Sequence, residues 1–170
     1  MATVASISDL FHAAAQAAVH LEMRESYMPA DPDWLDWQAG QKFDPAERWR
    51  EWFDLVAAAV ARGVAVRRAR IVSEPVSDYV RFEHEVTPGI NLAAGEQVRW
   101  LPRRRALDLM VPVCDFWLID NSLLAWNHFA GDGSWVAMET SDDPRLAKLY
   151  GSAFEAVWER ATPHADYRPA

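Results

Sequence analysis

The residues of this chain best placed to do chemistry are arginines. From Val64 to Val72 the sequence alternates, so that Val64, Val66, Arg68, Arg70 and Val72 fall on one face of a strand and Ala65, Arg67, Ala69 and Ile71 on the other. Arg68 and Arg70 therefore point the same way, just before the loop 73–77, and open sheets gather ligands beyond their strand carboxyl ends. Arg99, on a second short strand, and Arg103, at the head of the run Arg103-Arg104-Arg105, add guanidinium groups suited to a phosphate or carboxylate. Tyr79 and Trp100 supply a stacking wall for such a ligand. The competing reading spends the arginines in structural ion pairs with Glu74, Asp78, Glu83, Glu85 and Glu96, all near in sequence.

A hydrolytic set can also be drawn from Asp115, Asp120 and His128, with Cys114 as nucleophile. A catalytic cysteine needs a lowered pKa and a positioned base. Cys114 sits at the edge of an apolar strand with no diagnostic motif, which suits a small buried residue, and Asp120 has turn chemistry of its own. His12, His20, His84, His128 and His164 are far apart and none forms a His-x-x-x-His pair, so a metal site would need assembly by tertiary structure. Neither phosphate-loop nor dinucleotide glycine patterns occur, and Gly131-Asp132-Gly133 reads as a turn. No catalytic residue, metal or cofactor is assigned.

Nine tryptophans in 170 residues make packing prominent. Each carries a large apolar area and one N–H that wants a partner. Trp34 and Trp37 fall in an acidic connector and are expected to be exposed anchors for a partner protein. Charge is uneven: residues 1–60 hold four basic against ten acidic side chains, residues 61–110 nine against six, and residues 111–170 four against nine. Only the middle third should attract an anion, while the acidic first third would face a basic partner. The net charge of -8 works against direct binding to nucleic acid. One cysteine fits a reducing compartment, the cytoplasm. Met1 to Arg24 has no basic leader, and no apolar run approaches about 18 to 20 residues, so neither secretion nor a membrane span is expected. Fifteen of the seventeen basic residues are arginine, the usage of a GC-rich genome.

The elements that must position these residues follow from periodicity. Ser6 and Asp9 form a capping arrangement for a short first helix, and Val19 to Met23 alternates like a strand. Residues 27–45, with Pro29, Pro32 and Pro45, read as a connector holding one short helix around Trp34 and Trp37. Asp44-Pro45-Ala46-Glu47 starts a helix to Arg62 that Gly63 stops, and the strand 64–72 follows at once. A helix from Tyr79 to Val86 should end at Pro88-Gly89, and Gln97 to Leu101 forms a second strand of the central block. Phe116–Asp120 and Leu123–Phe129 flank Asn121-Ser122 as a hairpin, Trp135–Glu139 completes a meander, and Asp143-Pro144 opens a final helix ended before Pro163. The expected fold is α/β or α+β, a mixed β-sheet covered by helices, with a C-terminal β-meander followed by a final helix. At 19.3 kDa, residues 1–170 make one domain, with residues 46–170 as its main α/β core.

Three runs together, residues 67–75, 95–103 and 115–120, resemble an actinobacterial family of unknown function, and the likeness covers nearly the whole chain. Members of that family are commonly encoded beside helix-turn-helix regulators and their small acidic partners, which implies a regulatory role through contact with such a protein. The chain is also similar to the phospholipase D-like fold, in which a strand carries His-x-Lys with an Asp five residues beyond the Lys. Setting that Asp at Asp120 puts Val113 at the His position and Asp115 at the Lys position, so the resemblance implies a degenerate member that keeps a crevice and loses catalysis.

Three readings follow. The first is a non-catalytic cytoplasmic protein of a transcription-regulation module, acting by protein-protein contact through Trp34 and Trp37. The second is a sensor holding a small phosphate-containing or carboxylate ligand among Arg68, Arg70, Tyr79, Arg99, Trp100 and Arg103. The third is a hydrolase built on Asp115, Asp120 and His128.

Overall fold

The structure, a computed structural model, describes residues 6–170. Helix α1 (Ile7–Ala13) opens with the expected capping box: the Ser6 hydroxyl accepts from the Asp9 N–H at 3.1 Å and the Asp9 carboxylate accepts from the Ser6 N–H at 2.8 Å. There follow β1 (Ala17–Glu22), α2 (Pro32–Gln38), α3 (Pro45–Arg48), α4 (Arg50–Ala61), β2 (Ala65–Val72) and α5 (Asp78–Thr87). The rest of the chain forms β3 (Gln97–Pro102), β4 (Phe116–Ile119), β5 (Leu123–Phe129), β6 (Trp135–Ser141), α6 (Pro144–Arg160) and the short β7 (Thr162–Pro163). One seven-stranded sheet runs in the order β6-β5-β4-β1-β2-β3-β7. β1, β2 and β3 are parallel, the meander β4-β5-β6 adds antiparallel to β1, and β7 adds antiparallel to β3. The fold is α/β, with the mixed sheet, the C-terminal meander and the final helix in the expected places.

Strand periodicity of two divides the side chains between two unlike layers. On one face Leu21, Ile71, Leu101, Phe116 and Leu118 meet Phe154, Val157 and Trp158 of α6 in an apolar core, with Arg67 and Arg99 over the Phe154 and Trp158 rings. On the other face Ala18, Val66, Trp117 and Ile119 pack on Leu10 and Phe11 of α1 and Val56 and Ala59 of α4. Further along that second face lie His20, Glu22, Arg68 and Arg70, all buried beneath α4 and α5. Parity explains the placement: Arg68 and Arg70 share the face of Val66 and Val72, while Arg67 shares that of Ala69 and Ile71.

The expected single helix from Pro45 to Arg62 is broken at Trp49, whose backbone leaves helical geometry (φ -114°, ψ 45°) while its indole packs against Phe43 and Phe82. Tertiary contact here outweighs an uninterrupted apolar stripe. Helix α5 ends at Thr87, before Pro88-Gly89 as expected, but the chain does not leave helical geometry there. A π-helical turn over Pro88–Leu92 follows directly, in which Pro88 needs no N–H partner and Ile90 and Asn91 turn inward. Gly89 permits this, because a Cβ there would sit 3.0 Å from Pro45 Cγ. The connector 27–45 contains its one short helix, α2, but it is tied down: the Met28 N–H donates to Gly133 O at 3.0 Å, and Trp34 and Trp37 pack on α5. Strand β7 has too few residues to leave a periodic signal.

Candidate ligand site between α4 and α5

Register sets the site. His20 lies opposite Arg68 on β2 and Trp117 on β4, and Glu22 lies opposite Arg70, which in turn lies opposite Trp100 on β3. Two cross-strand rows of polar and aromatic side chains therefore cross the middle of an otherwise apolar layer. The His20 ring stacks on Trp117 with centroids 4.2 Å apart, and its Nδ1 lies 2.7 Å from Phe116 O, which can only accept. That proton assignment turns Nε2 toward Glu22, 3.2 Å away. Arg68 lies over the Trp117 and Trp52 rings at 5.4 and 5.8 Å, and Arg70 over Trp100 at 4.9 Å.

Ion pairing is dense. Arg68 donates from Nη1 to Glu22 at 2.5 Å and from Nε to Glu96 at 2.7 Å. Arg70 donates from Nε to Glu22 at 2.5 Å and from Nη1 to the Thr87 hydroxyl at 2.9 Å. Asn91, presented by the π turn, donates to the second oxygen of Glu96 at 2.5 Å. Glu83 of α5 differs. It is 8% exposed, its nearest cation is Arg70 Nη2 at 3.7 Å, beyond hydrogen-bond reach, and its carboxyl makes no side-chain hydrogen bond among the described residues. Burial works to raise the Glu22 carboxyl, but Arg68 and Arg70 overcome it and hold the group well below the usual carboxylate range. Burial pushes Glu83 up to about 7, against the pull of Arg70 and with help from the Glu22 charge. Two guanidinium groups and the His20 ring thus face three buried carboxyls, and Glu83 is the one that none of them reaches with a hydrogen bond.

Above this cluster opens a cleft of about 360 Å³ lined by Trp49, Trp52, Tyr79, Phe82, Glu83 and Trp117, with Asp31 at its rim and His20, Arg68 and Arg70 in its floor. That volume falls at the small end of ligand pockets. Two larger hollows, one of about 630 Å³ between α1 and α4 and one of about 430 Å³ beside residues 40–45, have no buried ionisable side chain in their walls. The cleft is where charge and concavity coincide.

The six residues assigned to an anion crevice separate. Arg68, Arg70 and Tyr79 meet at the cleft, and Trp100 lies buried beneath Arg70 with its indole N–H donated to His164 at 3.1 Å. Arg99 is on the α6 face, 4.3 Å over Trp158, by strand parity. Arg103 lies beyond the strand ends and ties them together, donating to Met23 O at 2.5 Å, Ile71 O at 3.3 Å and the Glu25 carboxylate at 3.0 Å. Trp34 and Trp37 are half-buried rather than free: they stack on each other at 5.4 Å, lean on Tyr79 and Phe82, and the Trp37 indole donates to Glu85 at 2.7 Å.

The hydrolytic set does not converge. Asp115 and Asp120 flank the two ends of β4. Asp115 accepts from the Tyr27 hydroxyl and the Met23 N–H, while Asp120 accepts from three successive N–H groups, Ala15, Gln16 and Ala17, at 2.7 to 2.9 Å. His128 faces solvent beside Glu139 at 3.1 Å. Burial pushes the Cys114 thiol up, away from a reactive thiolate. Val113 is fully exposed.

The sequence reasoning missed Glu22 and His20. Their signal was present: two polar residues spaced by two in an apolar strand, matching the spacing of Arg68 and Arg70 in the next parallel strand.

The chain belongs to the family described as a domain of unknown function (DUF6879), whose model matches residues 5–169. Its fold is similar to that of Nuc, a phospholipase D family member from Salmonella typhimurium, with a TM-score of 0.54 and 12% identity over 95% of this chain and 88% of that one. It is also similar to TrmBL2, an archaeal chromatin protein, with a TM-score of 0.52 and 12% identity over 91% of this chain and 47% of that one. This chain spans about half the length of TrmBL2. At such identities the likeness is one of fold. No functionally curated protein matches the chain. Among the described residues no helix is long and apolar enough to cross a membrane.

Proposed function

We propose that this protein is a non-catalytic binding module of a regulatory system and takes a small ligand into the cleft between α4 and α5. The observation that carries this reading is Glu83, a buried carboxyl with no hydrogen bond that borders an open, aromatic-walled cleft. Its oxygens stay open to the cleft, so a ligand that enters can donate to them without displacing a partner within the protein. The output side of the reading is contact with a second protein, such as a helix-turn-helix regulator, through α2. Its support is local: Trp34 and Trp37 rest on Tyr79 and Phe82, which also wall the cleft, so occupancy and the seating of α2 share the same side chains.

A screen of small metabolites tests the first part. A ligand should raise the melting temperature and move the indole N–H resonances of Trp49 and Trp52, and Trp49→Ala should weaken it by about tenfold. Ligands that bind elsewhere, or bind Trp49→Ala equally well, would contradict the assignment.

A further inference from the structure

We infer that the cleft takes a small organic monocation, an ammonium or amidinium, with its charge against Glu83 and its body against Trp49, Trp52 and Tyr79. The inference rests on the reading of the cleft as a ligand site and specifies what that site accepts.

The distribution of partners points to a cation. The hydrogen bonds described above direct Arg68 and Arg70 at Glu22, Glu96 and Thr87, the His20 ring faces Glu22, and none of the three donates to Glu83. An arriving anion would have to displace a buried carboxylate from an arginine and approach Glu83 as a like charge. A cation meets the opposite situation, because of the three buried glutamates only Glu83 lines the cleft, and it is the one that lacks a hydrogen bond. The walls agree: Trp49, Trp52 and Tyr79 line the cleft with aromatic surface, whose π faces attract a desolvated cation and whose apolar area suits its substituents. A hard metal ion fits poorly, since such ions gather about six or more oxygens and the other buried carboxylates here are already bound to arginines.

The ionisation of Glu83 adds a signature. The charged or titratable groups facing it are Arg68 and Arg70 from β2, Glu22 and His20 from β1, Tyr27 from the connector, Asp115 before β4, Asp31 at the rim and Tyr79 on its own helix. Because the Glu83 carboxyl is raised to about 7, an incoming cation must displace its proton, and affinity falls as pH drops through that value.

Two pairs of matched probes test this on the full chain: benzamidine with neutral benzamide, and choline with its uncharged isostere 3,3-dimethylbutan-1-ol. Titrated at about pH 8 and followed by the indole resonances, the charged member of each pair should bind about tenfold more tightly than its neutral partner. Glu83→Gln, with its fold verified by thermal melting, should erase that preference, and Trp49→Leu should weaken both members. Equal binding within pairs, a preference that survives Glu83→Gln, or tighter binding of inorganic phosphate would overturn the cation assignment and leave a ligand site of other chemistry. No response to any of these compounds would overturn both readings.

Discussion

The two faces of the sheet solve the problem of burial differently, although β2 contributes to both. Toward α6 the strand presents Ala69 and Ile71, and the arginine on that side, Arg67, reaches the margin to pair with Glu155 at 2.6 Å while its guanidinium lies over the Phe154 and Trp158 rings. Toward α4 and α5 the same strand presents Arg68 and Arg70, buried at 7% and 6% exposure among Glu22, Glu83 and Glu96. Ionic groups in the interior lose hydration that their mutual attraction does not reliably restore, so apolar packing would serve stability at least as well. The first face is explained by stability alone. The second suits the recognition role we propose: its charged floor lies under the cleft, and Glu83, without a hydrogen bond, borders the opening.

This contrast can be broken in several ways, and the largest effect is expected at Arg70. Arg70→Ala leaves Glu22 short of a donor and Glu83 without its nearest cation, and should cost about 3 to 5 kcal/mol in denaturant unfolding. Replacing Glu22 and Arg70 together by methionine should recover part of that loss. On the α6 face Phe154→Ala should cost a similar amount, about 3 to 5 kcal/mol, through the cavity it opens, and adding Leu118→Ala should deepen the loss rather than relieve it. A charged face whose double variant was no better than Arg70→Ala would erase the distinction.

A smaller effect of unusual sign is expected at Glu83. The folded chain keeps this proton up to about pH 7 whereas an ordinary glutamate releases it near 4.5, so the folded state binds more protons between these values and stability falls as pH rises through them. Glu83→Gln should therefore raise the melting temperature at about pH 8, and the gain should vanish at about pH 4. The smallest effect belongs to the margin of the apolar face: Glu155→Ala should change stability by under about 1 kcal/mol, since that carboxylate is half exposed.

The elements were largely legible because caps and periods are local. Ser6 with Asp9, Asp44-Pro45 and Asp143-Pro144 each mark a helix start that the structure uses. The alternation in 64–72 also assigned Arg68 and Arg70 to one face correctly. Their occupation was not legible, because Glu22 is 46 residues from Arg68 and is delivered by the parallel pairing of β1 with β2. Arg99 was grouped with them by proximity in sequence, whereas its odd position on β3 sends it to the opposite layer. Trp49 shows the converse limit: a strong helical pattern gives way where one indole gains more from Phe82 than from the helix.

The most direct test is a titration of the Glu83 side-chain carboxyl by carbon-detected NMR, assigned through Glu83→Gln, with and without benzamidine. A midpoint near 7 in the free protein that moves down when the cation is bound would establish Glu83 as the unmatched group of the cluster and the anchor of the ligand. A midpoint in the ordinary glutamate range, unmoved by the cation, would show that the cluster is already balanced and that the cleft has no charge left to offer.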